Sequence, residues 1–203
     1  MDATDRGHPF TVTARGNTVA TGNSIDQKQR ALRDELWPDA ATWIWDRTDK
    51  TNVKGYATIP RLLPLIMILI DHLSAKGEGD ARLAYLELWG RARDNQIVSI
   101  TDEEDIAFAS NCTNQKRAVR TWKDHIRVLK RLGFILVASD GNREIGHILL
   151  LNPLAVAARL HDEGRTPTSW WSTFKRRAVE IGAKIPSASL LPSETQIALT
   201  ATE

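Results

Sequence analysis

The chain has 203 residues, of which 42% are hydrophobic and 26% are charged, so it can bury a core, and wholesale disorder is excluded. Its formal net charge of +2 conceals an asymmetry between the two halves of the chain. Residues 1–110 carry 13 basic and 17 acidic side chains (net −4), whereas residues 111–203 carry 14 basic and 8 acidic (net +6). This step in charge predicts that the second half binds an anion.

Cysteine content and hydropathy indicate an intracellular protein. The single cysteine, Cys112, excludes an internal disulfide framework and a multi-cysteine zinc site, and it is typical of a reducing compartment. The polar residues 1–22 contain no apolar stretch of the signal-peptide type, and the longest apolar run, residues 62–70, is shorter than the roughly 20 residues that cross a bilayer. We therefore expect a cytoplasmic location, at the nucleoid when DNA is bound, and no membrane partner.

Residues 1–25 show no helical or strand periodicity, and a short helix is predicted from Asp26 to Leu36. Residues 1–30 are predicted to form a flexible arm, and residues 31–55 a Trp-rich segment containing Trp37, Trp43 and Trp45. Since tryptophan is costly to leave in water, we interpret this segment as packing on the core of its own chain. A homodimer contact through this segment or through the C-terminal arm is the alternative.

Residues 56–163 are predicted to form one domain with alternating helices and strands. In chain order, we expect helices over residues 62–73, 80–94 and 101–109, with a strand over 97–100; a helix from 113 or 114 to 132; strands over 134–138 and 145–151; and a helix from 153 to 163. Asp80 and Thr101 are predicted helix caps, and Asp140-Gly141 a hairpin turn. Asn152-Pro153 is typical of a helix start, and Gly133 of a helix end.

Residues 164–203 are predicted to form a C-terminal helix and tail, with the helix over Ser169–Ile181. A basic and aromatic segment over residues 170–177 lies within it. Three roles stay open for this segment: extending a DNA contact, binding a partner, or covering the protein's own core.

The order of the predicted elements is that of a winged helix-turn-helix. Two helices flank a break at residues 111–113, and the hairpin that follows corresponds to the wing. We therefore predict a mainly α fold with a small β-hairpin, of the α+β class, with helical or extended arms at both ends.

Similarity to known proteins lies in five segments: GYATIPR at residues 55–61, LPLIM at 63–67, RAVRTW at 117–122, LGFI at 132–135 and ILLLNP at 148–153. These segments resemble a group of bacterial winged-helix proteins encoded by uncharacterised open reading frames, some of them on plasmids or other mobile elements. The resemblance covers about residues 55–163 and implies DNA binding. Plasmid replication initiators usually carry two such domains, and this chain has one, which disfavours that specific role.

The helix predicted over residues 114–131 has the character of a recognition helix. Val119, Trp122, Ile126 and Leu129 form its inward stripe, at spacings of 3, 4 and 3. Seven basic residues and one acid, Asp124, lie between residues 116 and 131. Solvated helices usually alternate the signs of their charges, so we expect phosphates to compensate this repulsion. Pairing of these cations with acids of the N-terminal half would remove that inference.

The roles of individual side chains follow from the geometry of a helix in the major groove, where its N-terminal residues lie near base edges. The predicted base readers are Asn114, Gln115, Arg117 and Thr121. The predicted phosphate contacts are Lys116, Arg120, Lys123, Arg127, Lys130 and Arg131. Arg143, beyond the hairpin turn, is placed to contact a minor groove or a phosphate, or to remain solvated. Asp124 is predicted to orient Arg120.

These features predict a sequence-specific, non-enzymatic protein that binds double-stranded DNA. It would act in transcriptional regulation or in the replication or maintenance of a mobile element. We find no catalytic constellation, no metal-ligand spacing and no phosphate loop, so no cofactor is expected. Cys112 is interpreted as a small turn residue, with a redox role as the alternative. A protein-interaction module that uses the same surface is the alternative function.

Overall fold

The computed structural model describes residues 57–114 and 116–192, together with the short stretches 27–28, 30–36 and 38–39. The chain divides into two compact units, residues 1–56 and 57–203. In the first unit, the positions described between residues 27 and 36 are helical. The three tryptophans of the N-terminal segment, on which its predicted packing depends, lie outside the described residues.

The second unit combines α-helices with a small antiparallel sheet, which confirms the predicted α+β class. Its helices are α1 (Leu63–Leu73), α2 (Arg82–Arg91), α3 (Glu103–Ala109), α4 (Ala118–Leu132), α5 (Pro153–Asp162) and α6 (Thr168–Glu180), followed by a short 3-10 helix (Ala188–Leu190). Its strands are β1 (Ile97–Ser99), β2 (Ile135–Asp140) and β3 (Arg143–Leu150). Within the described residues, no helix has the length and apolar character needed to cross a membrane.

The sheet has the strand order β1-β3-β2, and both pairings are antiparallel. Ile148 on the central strand pairs with Val98 of β1 on one side and with Val137 of β2 on the other. Residues 141–142 form the turn between β2 and β3, which confirms the predicted hairpin. The hairpin therefore follows α4 directly, and its last strand lies in the middle of the sheet.

A register shift in the hairpin requires a glycine on the opposite strand. The pairing of β2 with β3 shifts between Ala138 and Asp140. A Cβ atom on Gly146 would lie 2.2 Å from Asp140 Cβ and 2.6 Å from the Asp140 nitrogen. Only a hydrogen fits at this position, so Gly146 permits the close approach of the two strands.

Two predicted helix boundaries are confirmed by their local chemistry. Gly133 ends α4 in the left-handed conformation, with φ of 75°. The Asn152 side chain accepts hydrogen bonds from the backbone N–H groups of Leu154 (3.0 Å) and Ala155 (3.4 Å), and Pro153 occupies the first helical position.

Of two other predicted caps, the one of α3 is wrong by one residue. The cap of α3 is Asp102, not Thr101, because the Asp102 carboxylate accepts the N–H groups of Glu104 (2.9 Å) and Asp105 (3.1 Å). A carboxylate is a stronger acceptor than the threonine hydroxyl and carries the charge that the helix N-terminus favours. At α2 the first helical residue is Arg82, preceded by Ala81, and the Asp80 carboxylate accepts the Arg82 N–H at 3.0 Å, as expected for the predicted capping residue.

The core joins α6 to the rest of the unit. Trp170 and Phe174 of α6 are buried, and the Trp170 indole N–H donates to the carbonyl oxygen of Leu65 in α1 at 2.9 Å. Three roles were left open for residues 170–177, and Trp170 and Phe174 have the third of them, which is to cover the protein's own core. The three basic residues that end the segment, at 175–177, are exposed.

Candidate nucleic-acid interface

Helix α4 buries one face and exposes cations on the other. Trp122, Ile126 and Leu129 are fully buried, as predicted, whereas Val119 is half-buried. The exposed side chains of the helix are those of Arg120, Arg127, Lys130 and Arg131. The inward stripe therefore fixes the rotation of the helix, and the basic side chains project from its remaining surface.

The start of α4 lies later than predicted. The helix begins at Ala118 because Asn114 forms a turn: its side-chain oxygen accepts the Lys116 N–H at 3.2 Å, and its carbonyl accepts the Arg117 N–H at 2.8 Å. Before this turn, α3 ends with Asn111 in the left-handed conformation, with φ of 63°. The connection between the two helices is therefore longer than predicted.

Three of the six residues predicted to contact phosphate are already paired within the chain. The Lys123 amine lies 2.9 Å from a Glu103 carboxylate oxygen. Arg131 lies 2.6 Å from Glu78, which belongs to the N-terminal half. Their charges are compensated internally, so the prediction that phosphates compensate the whole stripe is wrong for these residues.

Arg127 is the third paired cation, and its partner is Asp124, the acid that was predicted to orient Arg120. It forms an ion pair with Asp124, one helical turn earlier, and a longer one of 3.8 Å with Glu144 of β3. The predicted contact between Asp124 and Arg120 is therefore wrong. On a helix surface, a cation three residues from a carboxylate can pair with it as readily as a cation four residues away.

Except for Lys130, the cations between residues 116 and 131 that have no ion-pair partner among the described residues lie at the N-terminal end of α4. Lys116, Arg117 and Arg120 are exposed and lie within the turn and the first helical turn. The first turn of α4 contains no acidic residue, and its N-cap residue Arg117 makes no side-chain cap. Free backbone N–H groups and the positive end of the helix dipole thus add to the three cationic side chains.

Lys130 also lacks an ion-pair partner in the part of the chain that the structure describes, but it lies at the opposite end of α4. Ten residues separate it from Arg120, which corresponds to about 15 Å along the helix axis. Of the predicted base readers, Thr121 is half-buried, Asn114 is exposed, and Gln115 lies outside the described residues.

A groove of about 600 Å³ lies along this cationic end of α4. Its described lining consists of Glu104, Phe108, Cys112, Thr113, Lys116, Arg117, Ala118, Val119 and Arg120. Glu104 and Phe108 were not predicted as site residues. The one available signal is spacing: Phe108 is two positions from the buried Ile106, which puts the two side chains on opposite sides of a helix.

The hairpin contributes little positive charge to this surface. The guanidinium of Arg143 turns back and donates to the carbonyl oxygen of Ile100 at 2.6 Å. A cleft between the hairpin turn and α3 has six charged side chains in its described lining. Four are acidic (Asp102, Glu103, Glu104 and Glu144), and two are basic (Lys123 and Arg143). The region next to the hairpin is therefore unfavourable for a polyanion.

Beneath the connection between α3 and α4 lies a buried thiol and imidazole pair. Cys112 Sγ is 3.7 Å from His125 Nδ1, and both side chains are less than one-tenth exposed. Burial raises the pKa of the Cys112 thiol, and burial lowers the pKa of His125 although Asp80 and Asp124 oppose it. Cys112 is thus a buried thiol of low reactivity, and the lowered pKa that a redox role requires is absent.

Among the described residues, no group of three or more His, Cys, Asp or Glu side chains is placed to hold a metal ion. No family model matches the chain, and neither the curated proteins nor the solved structures give a match. The resemblance to winged-helix proteins therefore stays a prediction. The function is inferred from the charges and contacts at the N-terminal end of α4.

Proposed function

We propose that this protein binds double-stranded DNA in a sequence-specific manner, as a winged helix whose recognition helix is α4. The observation that carries the proposal is the cluster formed by Lys116, Arg117 and Arg120, which have no ion-pair partner among the described residues. Regulation of transcription and maintenance of a mobile element are the two roles that such binding would serve.

The connectivity of the unit supports this proposal. A winged helix places a helix and a short strand before the two helices of its DNA-binding motif, and a hairpin after them. The elements from α2 to β3 follow that order, and β1 pairs with the last strand of the hairpin. In this arrangement α4 corresponds to the helix that enters the major groove.

The ion pairs limit the proposed contact to one end of the helix. Lys116 and Arg120 are the proposed phosphate contacts, and Arg117 is the proposed base reader, since a guanidinium can bind guanine through two hydrogen bonds. The Asn114 side-chain oxygen already accepts the Lys116 N–H, so its amide nitrogen is the group left to donate to a base. Two cations at phosphates predict a salt slope of about −2.

A titration of labelled random-sequence duplex at low and at physiological salt, followed by fluorescence anisotropy, tests the proposal. We expect binding at low salt that weakens as the salt concentration rises. Absence of binding at low salt would overturn the proposal.

A matched pair of double variants localises the contact. Lys116→Gln with Arg117→Gln removes two exposed cations at the start of α4, and Lys175→Gln with Arg176→Gln removes the same two residue types from the exposed side of α6. The first variant should lose most of the affinity, and the second should retain it. Equal losses would show that the contact is not localised to α4.

A protein-interaction module is the second candidate, and the exposed aromatic ring of Phe108 beside the cations favours it. The two functions predict that different molecules co-purify with the protein. Native protein purified at low salt should show excess absorbance at 260 nm if it binds DNA. A preparation free of nucleic acid that captures a protein through Phe108 would favour the alternative.

A further inference from the structure

Phe108 is exposed at a place where the fold does not need it. It lies in the last turn of α3, where the neighbouring Ile106 and Ala107 are buried, yet 71% of Phe108 is accessible to solvent. It is the one exposed aromatic residue among those that the structure describes. Single exposed apolar side chains are common on protein surfaces, so this ring indicates a ligand only together with the charged groups beside it.

The ring shares the groove of about 600 Å³ with the three unpaired cations of α4. A ligand that fills this groove meets three cations, Lys116, Arg117 and Arg120, against one carboxylate, that of Glu104. It also meets an apolar surface from Phe108 and Val119. Such a ligand carries anionic groups and at least one apolar group within a few ångströms of each other.

Duplex DNA combines these two properties in its major groove. Phosphates line the edges of the groove, and the C5-methyl group of thymine is the apolar group on its floor. A phenyl ring has no hydrogen-bonding atom, so it distinguishes base pairs there by contact with this methyl group. Non-specific binding of single strands uses several aromatic rings on which successive bases stack, whereas this groove offers one.

We propose that Phe108 is a specificity-determining residue that contacts a thymine methyl group in the major groove. This inference rests on the proposed function, because it requires duplex DNA along the start of α4. It extends the recognition surface from α4 to the end of α3, and it assigns to the site a preference for a thymine beside the base read by Arg117.

Replacing thymine by uracil in the DNA tests the inference, because uracil lacks the methyl group but keeps the same hydrogen-bonding edge. A duplex selected from a random pool is prepared in both forms. The wild-type protein should bind the thymine form about fourfold more tightly, as expected for burial of one methyl group. Phe108→Ala should bind both forms equally, and Phe108→Leu should retain part of the preference.

The outcomes separate the two claims. Absence of binding to either duplex at low salt overturns the proposed function, and this inference with it. Tight binding without discrimination between thymine and uracil overturns the inference alone, as does discrimination that persists in Phe108→Ala. A larger effect of Phe108→Ala on a single strand than on the duplex also overturns it, in favour of stacking. Thermal unfolding of each variant checks that the exposed position tolerates the change.

Discussion

The guanidinium of Arg131 donates a hydrogen bond to Glu78 Oε2 at 2.6 Å, which joins the last turn of α4 to the loop after α1. The same carboxylate oxygen accepts the backbone N–H of Ala75 at 2.6 Å, so the loop holds the acid in place. At this end of α4 only Lys130 lacks an ion-pair partner among the described residues, whereas all three cations at the other end lack one. On the proposed function, this division favours DNA contacts at the N-terminal end of α4.

Arg120 and Arg131 form a matched pair for testing this division. Arg120→Ala should weaken binding to all sequences about equally and reduce the salt slope by about one, because it removes one phosphate contact. Arg131→Ala should change affinity by less than about twofold, since its charge already belongs to an ion pair. Titrations at several salt concentrations measure both. A reduction in slope for Arg131→Ala that equals the one for Arg120→Ala would contradict the account.

Arg117→Ala should change base preference instead of the salt slope. A guanidinium that binds one guanine contributes about 1–3 kcal/mol of discrimination at that base pair. Binding-site selection from a random DNA pool, performed with wild-type protein and with this variant, should show one position of the consensus losing its preference. If Arg117→Ala and Arg120→Ala give the same result, the division into base readers and phosphate contacts is wrong. A two-fold symmetric consensus would support the predicted homodimer.

Gly146→Ala should destabilise the hairpin. The added Cβ would lie 2.2 Å from Asp140 Cβ, so the two strands must separate, and we expect a loss of about 1–3 kcal/mol in the free energy of unfolding. Gly90→Ala in α2 is the control, because a Cβ there meets no atom within 4 Å. It should stabilise the protein by about 0.5–1 kcal/mol. Urea unfolding measures both variants, and equal effects would contradict the proposed close approach.

His125 should make stability depend on pH. Burial lowers the pKa of His125 below its ordinary value of 6.5, against the attraction of Asp80 and Asp124. Below that value the unfolded chain binds a proton that the folded protein resists, so the free energy of unfolding falls as the pH falls through 6.5. Denaturant unfolding across this range should show a flatter dependence for His125→Gln.

Boundaries set by local chemistry could be predicted from the sequence. A helix end in the left-handed conformation favours glycine, which is present as Gly133, and Asn152 followed by proline forms a cap with neighbouring backbone groups. Each signal therefore lies within a few residues. The start of α4 was missed because Asn114 can either cap a helix or form a turn, and both use the same side-chain oxygen.

Which of the cations have a partner within the protein could not be predicted, because the partners are far from them in the sequence. Arg131 meets an acid 53 residues earlier, and Arg143 bonds to a carbonyl 43 residues earlier. The periodicity of α4 placed Arg131 on the helix surface and carried no information about what faces it. The composition of the stripe therefore overestimated the charge available to DNA.

Mapping of a DNA complex by NMR tests the central claim most directly, namely that the start of α4 is the DNA-binding surface. A short duplex is titrated into protein labelled with nitrogen-15, and the backbone amide shifts are followed. We predict that the largest changes fall on residues 113–121 and on Phe108, with little change along α6. Changes confined to α6 or to the sheet, with residues 113–121 unaffected, would contradict the account.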